Sequence, residues 1–244
     1  MKDWEKQEVS GGGNGEIAIP SNRFLRWLDN YWYHYKWPTI GIAFALIVVT
    51  ICMFQTCSKE SYDVKMVYAG PAVLTNEEVA SLDQLMDLTV PRDFNEDGEK
   101  NASLLRHSIY SEEQIKEAEE QLKGETEKYI FDRQYNANEY DSYYNEIMAG
   151  TAAIYFLDPW LYEELKHNKS GDYLRRLDDL FDTLPEGALD DGFGVRLGDT
   201  DLYKKYKVLS VLPEDTVVCM LTRLVNHKER MYAQSEEMFR ALVG

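Results

Sequence analysis

Apolar residues are concentrated in one uninterrupted run, Ile40–Phe54, which contains no charged side chain. Extended to Trp37–Cys57, the run covers 21 residues, about 31 Å as a helix and enough to cross a bilayer core. No polar face recurs at helical spacing within it, which disfavours a buried core helix. It also begins 39 residues into the chain and lacks small residues after it, which disfavours a cleaved signal peptide. We therefore predict that residues 37–57 form an uncleaved transmembrane signal anchor.

The residues before this run have a different pattern, with apolar side chains at helical spacing. One helical face carries the five residues Phe24, Trp27, Leu28, Tyr31 and Tyr35. Aromatic rings of this kind settle among lipid headgroups, so residues 21–36 are predicted to form an amphipathic interfacial helix, with Pro38 restarting the chain at the bilayer. The alternative is an ordinary soluble amphipathic helix. Residues 1–20 are polar and glycine-rich, which is typical of a disordered tail.

Beyond the apolar run, short apolar stretches alternate with segments of helical periodicity. The predicted strands are Val64–Ala69, a segment within Asn101–Tyr110, Ala152–Leu157, Gly194–Leu197 and Thr216–Leu224. The predicted helices are Thr75–Leu88, Ser111–Leu122, Tyr140–Met148, Pro159–Leu165, Tyr173–Leu184 and one running from Met231 towards the C-terminus. This order predicts an α/β domain over residues 58–244, with a largely parallel sheet covered by helices.

Charge is distributed unequally about the apolar run. The first 57 residues hold five basic and five acidic side chains, so the whole net charge of −17 falls on residues 58–244. Such a domain repels phosphate backbones, which argues against nucleic acid and favours cations, basic peptides or neutral solutes as partners. Basic residues just before the run give a weak positive-inside bias. We therefore predict a single-pass protein of the cell membrane, with the N-terminus cytoplasmic and the C-terminal domain extracellular.

An acidic loop resembles the first half of a calcium-binding loop. Asp93, Asn95 and Asp97 provide oxygen atoms at positions 1, 3 and 5, Gly98 stands at position 6, and Glu99 would offer its carbonyl at position 7. Leu104 stands where the bidentate glutamate is expected, which excludes an EF-hand. A shorter calcium site completed by another carboxylate is one interpretation, and a solvated turn is the other.

A second candidate site follows from the predicted sheet. Ligands of open α/β sheets bind beyond the carboxyl ends of the strands, which points to a crevice lined by Tyr68, Gly70, Leu157 and Asp158. Alternatively, Gly70 and Asp158 only mark positions where helices begin. The sequence contains no nucleophile elbow, zinc-protease motif, phosphate-binding loop or Cys-x-x-Cys motif, so no catalytic residues are assigned.

Three segments carry a resemblance to known families. Residues 24–37, which include the aromatic cluster, resemble the pre-membrane stretch of uncharacterised single-pass membrane proteins of clostridial-type Gram-positive bacteria. Asn145–Leu157 and Phe193–Thr200 are similar to stretches of extracellular solute-binding proteins. The resemblance implies a solute-binding-protein-like fold truncated to a single lobe.

These observations lead to one main functional hypothesis and two alternatives. The main hypothesis is a membrane-anchored extracytoplasmic module that binds a small molecule or a protein, as a sensor or an accessory subunit. The alternatives are a cell-envelope enzyme without a recognisable catalytic motif and a structural scaffold of a membrane complex. Calcium is the one cofactor that the sequence suggests.

Overall fold

The computed structural model describes residues 23–57, 62–121, 131–168, 173–222 and 229–244. The predicted disordered tail, residues 1–20, lies outside these ranges. The chain divides into two compact units, residues 1–60 and 61–244. The described helices are α1 (Arg23–Cys57), α2 (Asn76–Thr89), α3 (Glu112–Gln121), α4 (Arg133–Ala149), α5 (Pro159–Lys166), α6 (Asp201–Lys205) and α7 (Glu229–Val243). The described strands are β1 (Val64–Gly70), β2 (Ala102–Ser108), β3 (Ile154–Leu157), β4 (Gly194–Arg196) and β5 (Val217–Met220).

The described part of the first unit is a single long helix, α1. Its segment Asn30–Met53 is, among the described residues, the one helix long and apolar enough to cross a membrane by length and composition. The segment has 24 residues and none of it is buried. At 1.5 Å per residue it is about 36 Å long, against about 30 Å for a bilayer core.

The helix α1 is continuous through Pro38, so the predicted restart of the chain at this residue is wrong. Proline removes one backbone hydrogen bond from a helix but does not prevent the turns on either side from forming. Here those turns are supported by side chains, because the rings of Trp27, Tyr31 and Tyr35 stack in succession. The Tyr31 hydroxyl also forms a hydrogen bond of 2.9 Å with the Thr39 hydroxyl, which lies beyond the proline.

The second unit is built on a five-stranded sheet with the order β2-β1-β3-β5-β4. Strands β2, β1 and β3 pair in parallel, and β5 pairs antiparallel with both β3 and β4. Four of the five strands therefore point in the same direction. The predicted α/β fold with a mostly parallel sheet is confirmed at this level.

Successive strand residues point to opposite sides of the sheet, so each face carries its own set of apolar side chains. Helices cover both faces. On one face, Met66, Tyr68 and Phe156 pack with buried residues of α2 and α7. On the other face, Tyr155 and Cys219 pack with buried residues of α4 and α5. The domain therefore has three layers, with the sheet in the middle and an apolar core on each side.

Two of the predicted helices differ from the structure. Residues 173–184 form only a 3-10 turn, Leu177–Asp179, and an isolated bridge between Leu174 and Leu221. A helix is excluded there because Arg175 donates its backbone N–H to the Met220 carbonyl at 2.8 Å, so the segment extends the sheet. The helix predicted for residues 140–148 starts earlier, at residue 133, because the Asp132 carboxylate accepts the backbone N–H of Tyr135 as an N-cap.

Candidate functional site

The four residues of the predicted crevice are all buried, and they do not share one face of the sheet. Tyr68 packs in the core beneath α2 and α7, whereas Leu157 packs in the core beneath α4 and α5. Tyr68 and Gly70 do lie together: a Cβ added at Gly70 would stand 2.7 Å from the Tyr68 hydroxyl oxygen and 3.3 Å from the Asp158 Cβ. Glycine is therefore required at position 70 for this close approach.

Asp158 joins the starts of two helices at the end of β3. Its carboxylate accepts the backbone N–H of Trp160 at 3.1 Å, which caps α5. It also accepts the side-chain amide of Gln114, in the first turn of α3, at 2.9 Å. Burial raises the pKa of Asp158 above its ordinary value despite these two hydrogen bonds, and the nearby Asp215 acts in the same direction. Asp158 thus contributes a carboxylate with a raised pKa to the predicted crevice. Its structural role is to cap α5.

The acidic loop folds around its own carboxylates. Asp93 accepts the backbone N–H groups of Glu96 and Gly98, at 2.6 and 2.8 Å, and Asp97 accepts that of Glu99 at 3.0 Å. Gly98 has φ of +95°, a conformation that favours glycine. The carboxylates of Asp93 and Asp97, two of the predicted calcium ligands, thus accept backbone N–H groups and stabilise the turns of the loop. Within the described residues, no group of three or more His, Cys, Asp or Glu side chains is arranged to hold a metal ion.

Asp63, a residue outside the acidic loop, anchors it. Its buried carboxylate accepts the backbone N–H groups of Phe94 and Asn95 with one oxygen, at 2.7 and 2.9 Å. The other oxygen accepts the N–H of Asn101 at 3.1 Å. Three donors on one carboxylate fix both ends of the loop against the start of β1.

A polar cluster that sequence analysis did not single out lies between α5 and β4. Asp191 accepts hydrogen bonds from the Lys166 ammonium at 2.8 Å, from the buried Tyr162 hydroxyl at 2.8 and 2.9 Å, and from the Phe193 N–H at 3.1 Å. Burial raises the pKa of Asp191, but these donors outweigh burial and hold the pKa below its ordinary value. Lys166 also donates to Glu163 at 2.9 Å. Asp191 is therefore an anion at neutral pH that fixes the Lys166 side chain.

A cavity of about 230 Å³ lies beside this cluster, lined by Lys166, Tyr173, Leu174 and Phe193. Tyr173 and Phe193 are half-buried, and Leu174 is buried in the core beneath α4 and α5. The bridge from Leu174 to Leu221 positions one wall. The Phe193 ring forms another wall, and the Arg176 guanidinium packs against it, with its central carbon 5.3 Å from the ring centroid. Among the described residues, the lining thus combines two aromatic rings and a leucine side chain with one ammonium group.

Gly194, the first residue of β4, allows the strand to pack beside the cluster. A Cβ at this position would lie 2.4 Å from a methyl carbon of Val217 and 3.1 Å from the Tyr162 ring. Any larger residue would require the Val217 side chain or the Tyr162 ring to move, and Tyr162 is a donor to Asp191. The glycine is therefore a structural requirement of the cluster.

A second cavity, of about 20 Å³, lies between α4 and α5 and has room for about one water molecule. Tyr143, Leu161 and Glu164 are among its lining residues. Its size excludes an organic ligand, which leaves the cavity beside Lys166 as the better candidate of the two. Comparison of the chain with family models, with curated proteins and with solved structures finds no match.

Proposed function

We propose that this chain is a membrane-anchored extracytoplasmic binding module and that its α/β domain binds a small ligand in the cavity beside Lys166. The observation that carries the proposal is this cavity, in which Asp191 and Glu163 fix an ammonium group against an aromatic lining. Binding sites are usually concave and mainly apolar, with few but well-placed polar groups. At about 230 Å³, the cavity is smaller than the roughly 300–1,000 Å³ typical of such sites, so the proposed ligand is a small molecule.

The helix α1 supports the anchoring part of the proposal. Its segment Asn30–Met53 has the length and composition of a membrane span. We further propose that it crosses the cell membrane once, with the N-terminus in the cytoplasm and the α/β domain outside. The one-lobed solute-binding-like fold belongs to the same proposal, and a mostly parallel sheet with helices on both faces agrees with it.

The proposal predicts that a small ligand will raise the thermal stability of the protein. A ligand that binds only the folded state stabilises it by RT ln(1 + [L]/Kd), about 2.7 kcal/mol at a hundredfold excess over Kd. The experiment is a thermal-shift screen of the full chain in lipid nanodiscs against sugars, amino acids, peptides, small aromatic molecules and metals. Calcium is included because the oxygen atoms of Asp93, Asn95 and Asp97 are the proposed ligands for it.

A cavity-filling variant, Leu174→Phe, serves as the control for site assignment, and Leu184→Phe is the matched control. Leu184 is 49% exposed and is not among the residues that line the cavity. We expect Leu174→Phe to abolish the shift given by any organic ligand, and Leu184→Phe to preserve it. Absence of a shift with every ligand, or an equal shift in Leu174→Phe, would contradict binding in this cavity.

A further inference from the structure

We infer that the cavity beside Lys166 takes a neutral molecule built on a single aromatic ring and carrying a carbonyl or hydroxyl oxygen, which accepts a hydrogen bond from Lys166. This inference rests on the proposed binding function and names the class of ligand for the same site. It follows from the size of the cavity, the chemistry of its walls and the charges around it.

The volume of the cavity matches about one ring of a ligand. An apolar protein cavity of about 150 Å³ accepts benzene. The cavity here, at about 230 Å³, has room for one ring with a small polar substituent. The size therefore favours a single-ring compound over a sugar chain or a folded peptide.

The walls favour an aromatic ring over a saturated one. Two of the four lining residues that the structure describes, Tyr173 and Phe193, are aromatic, and Leu174 adds an apolar surface. Contacts between aromatic rings increase affinity by roughly two- to tenfold beyond the effect of the area they bury. A saturated ring of the same size would bury a similar area without this contribution.

The polar requirement comes from Lys166. An ammonium group has three N–H donors. Two of them are directed to Asp191 and Glu163, and the third has no acceptor among the residues that the structure describes. Because Lys166 lines the cavity, a ligand oxygen can accept this third hydrogen bond.

The charges around Lys166 favour a neutral ligand. Asp191 and Glu163 surround the ammonium, so the three groups together carry a net charge of −1. The whole chain carries −17. An anionic ligand would be repelled by both, whereas a cationic ligand would compete with Lys166 for the same carboxylates. A neutral oxygen is the acceptor that satisfies the third donor without either penalty.

The test compares four probes on the full chain in lipid nanodiscs: benzamide, cyclohexanecarboxamide, toluene and benzoate. Binding is followed by the NMR shifts of the Tyr173 and Phe193 amides. Benzamide has the ring and the neutral acceptor, and each other probe changes one feature. We expect benzamide to bind most tightly, by roughly tenfold over toluene, since a hydrogen bond with a charged partner is worth about that factor or more.

The Lys166→Met variant should remove the preference for benzamide over toluene while toluene binding persists, which shows that the cavity remains intact. The matched control is Lys204→Met, because Lys204 forms an exposed ion pair with Glu186 at 3.3 Å and does not line the cavity. This control should retain the preference. If Lys166→Met does not fold, the order of the four probes on the natural chain decides the question.

The results that would overturn the ligand class can be distinguished from those that would also overturn the binding function. Equal binding of cyclohexanecarboxamide and benzamide, tighter binding of benzoate, or an unchanged preference in Lys166→Met would overturn the ligand class and leave the binding function standing. No effect of any probe on Tyr173 or Phe193 would overturn the ligand class. The proposed function would be overturned as well if the thermal-shift screen also found no organic ligand whose shift is abolished in Leu174→Phe.

Discussion

Replacing both Leu46 and Val49 with arginine is expected to release the chain from the membrane. The two side chains lie within the apolar segment of α1 and are 62% and 53% exposed. Each arginine near the centre of a membrane helix costs about 2.5–3.5 kcal/mol on insertion scales, and each lost Leu or Val removes a few tenths more. Together the two changes cost about 6–8 kcal/mol, so the proportion of chain that resists carbonate extraction from membranes should fall by tenfold or more.

The matched control is the pair of substitutions Val73→Arg and Leu88→Arg. These residues lie in the α/β domain and are 74% and 73% exposed, so arginine at either position remains in water. We expect this variant to fractionate like the natural chain. Retention of the Leu46→Arg, Val49→Arg chain in the carbonate-resistant fraction would contradict a membrane span in α1, as would equal release of the two variants.

The substitution Asp63→Ala is expected to lower the free energy of unfolding by about 3–5 kcal/mol. Asp63 is 2% exposed, and its carboxylate accepts three backbone N–H groups. Alanine leaves the buried N–H of Phe94 and the partly buried N–H groups of Asn95 and Asn101 without this acceptor. An unsatisfied donor that is fully buried costs about 1–3 kcal/mol, and a partly buried one costs less. Because the lost hydrogen bonds fix both ends of the acidic loop, chemical denaturation of the full chain in detergent micelles should show a clear fall in midpoint.

Asp97→Ala provides the comparison within the same loop. Its carboxylate is exposed and accepts the N–H of Glu99 at 3.0 Å and the side-chain amide of Asn95 at 2.9 Å. Exposed groups regain hydrogen bonds with water, so the expected loss is about 1 kcal/mol or less. If the two variants differed by less than 1 kcal/mol, Asp63 would not be the anchor of the loop.

Elements with local sequence signals were predicted correctly. The helix predicted from Thr75 is α2, which begins with a capping box between Thr75 and Glu78, and Asp158 caps α5 as its sequence position indicated. Strand β3 was predictable because its continuous apolar run is typical of a strand buried on both faces. The structure of residues 173–184 was not predictable, because their apolar spacing fits both a helix and a chain that extends a sheet. Only tertiary hydrogen bonds, such as those of Arg175 with Met220 and of Tyr173 with Thr222, distinguish these alternatives.

The candidate site was less predictable than the fold. Tyr162, Lys166 and Asp191 converge although 25 residues separate Lys166 from Asp191, and no motif connects them. Conversely, the rule about carboxyl ends of strands pointed to Tyr68 and Leu157, which belong to opposite cores of the sheet. Strand alternation alone, given the register, would have separated those two residues. The cavity depends on how β4 packs beside α5, which no local pattern in the sequence encodes.

The central claim, a tethered domain outside the cytoplasm, is tested most directly by cysteine labelling in intact bacterial cells with a membrane-impermeant maleimide. The parent chain carries Cys52→Ser and Cys57→Ser, because Cys52 is exposed, whereas Cys219 is buried and is retained. A cysteine is then added either in the tail, as Ser10→Cys, or on the exposed surface of the α/β domain, as Ser210→Cys. Ser210→Cys should be labelled in intact cells, and Ser10→Cys only after the membrane is opened. Labelling of Ser10→Cys but not Ser210→Cys in intact cells, or protection of both, would contradict the claim.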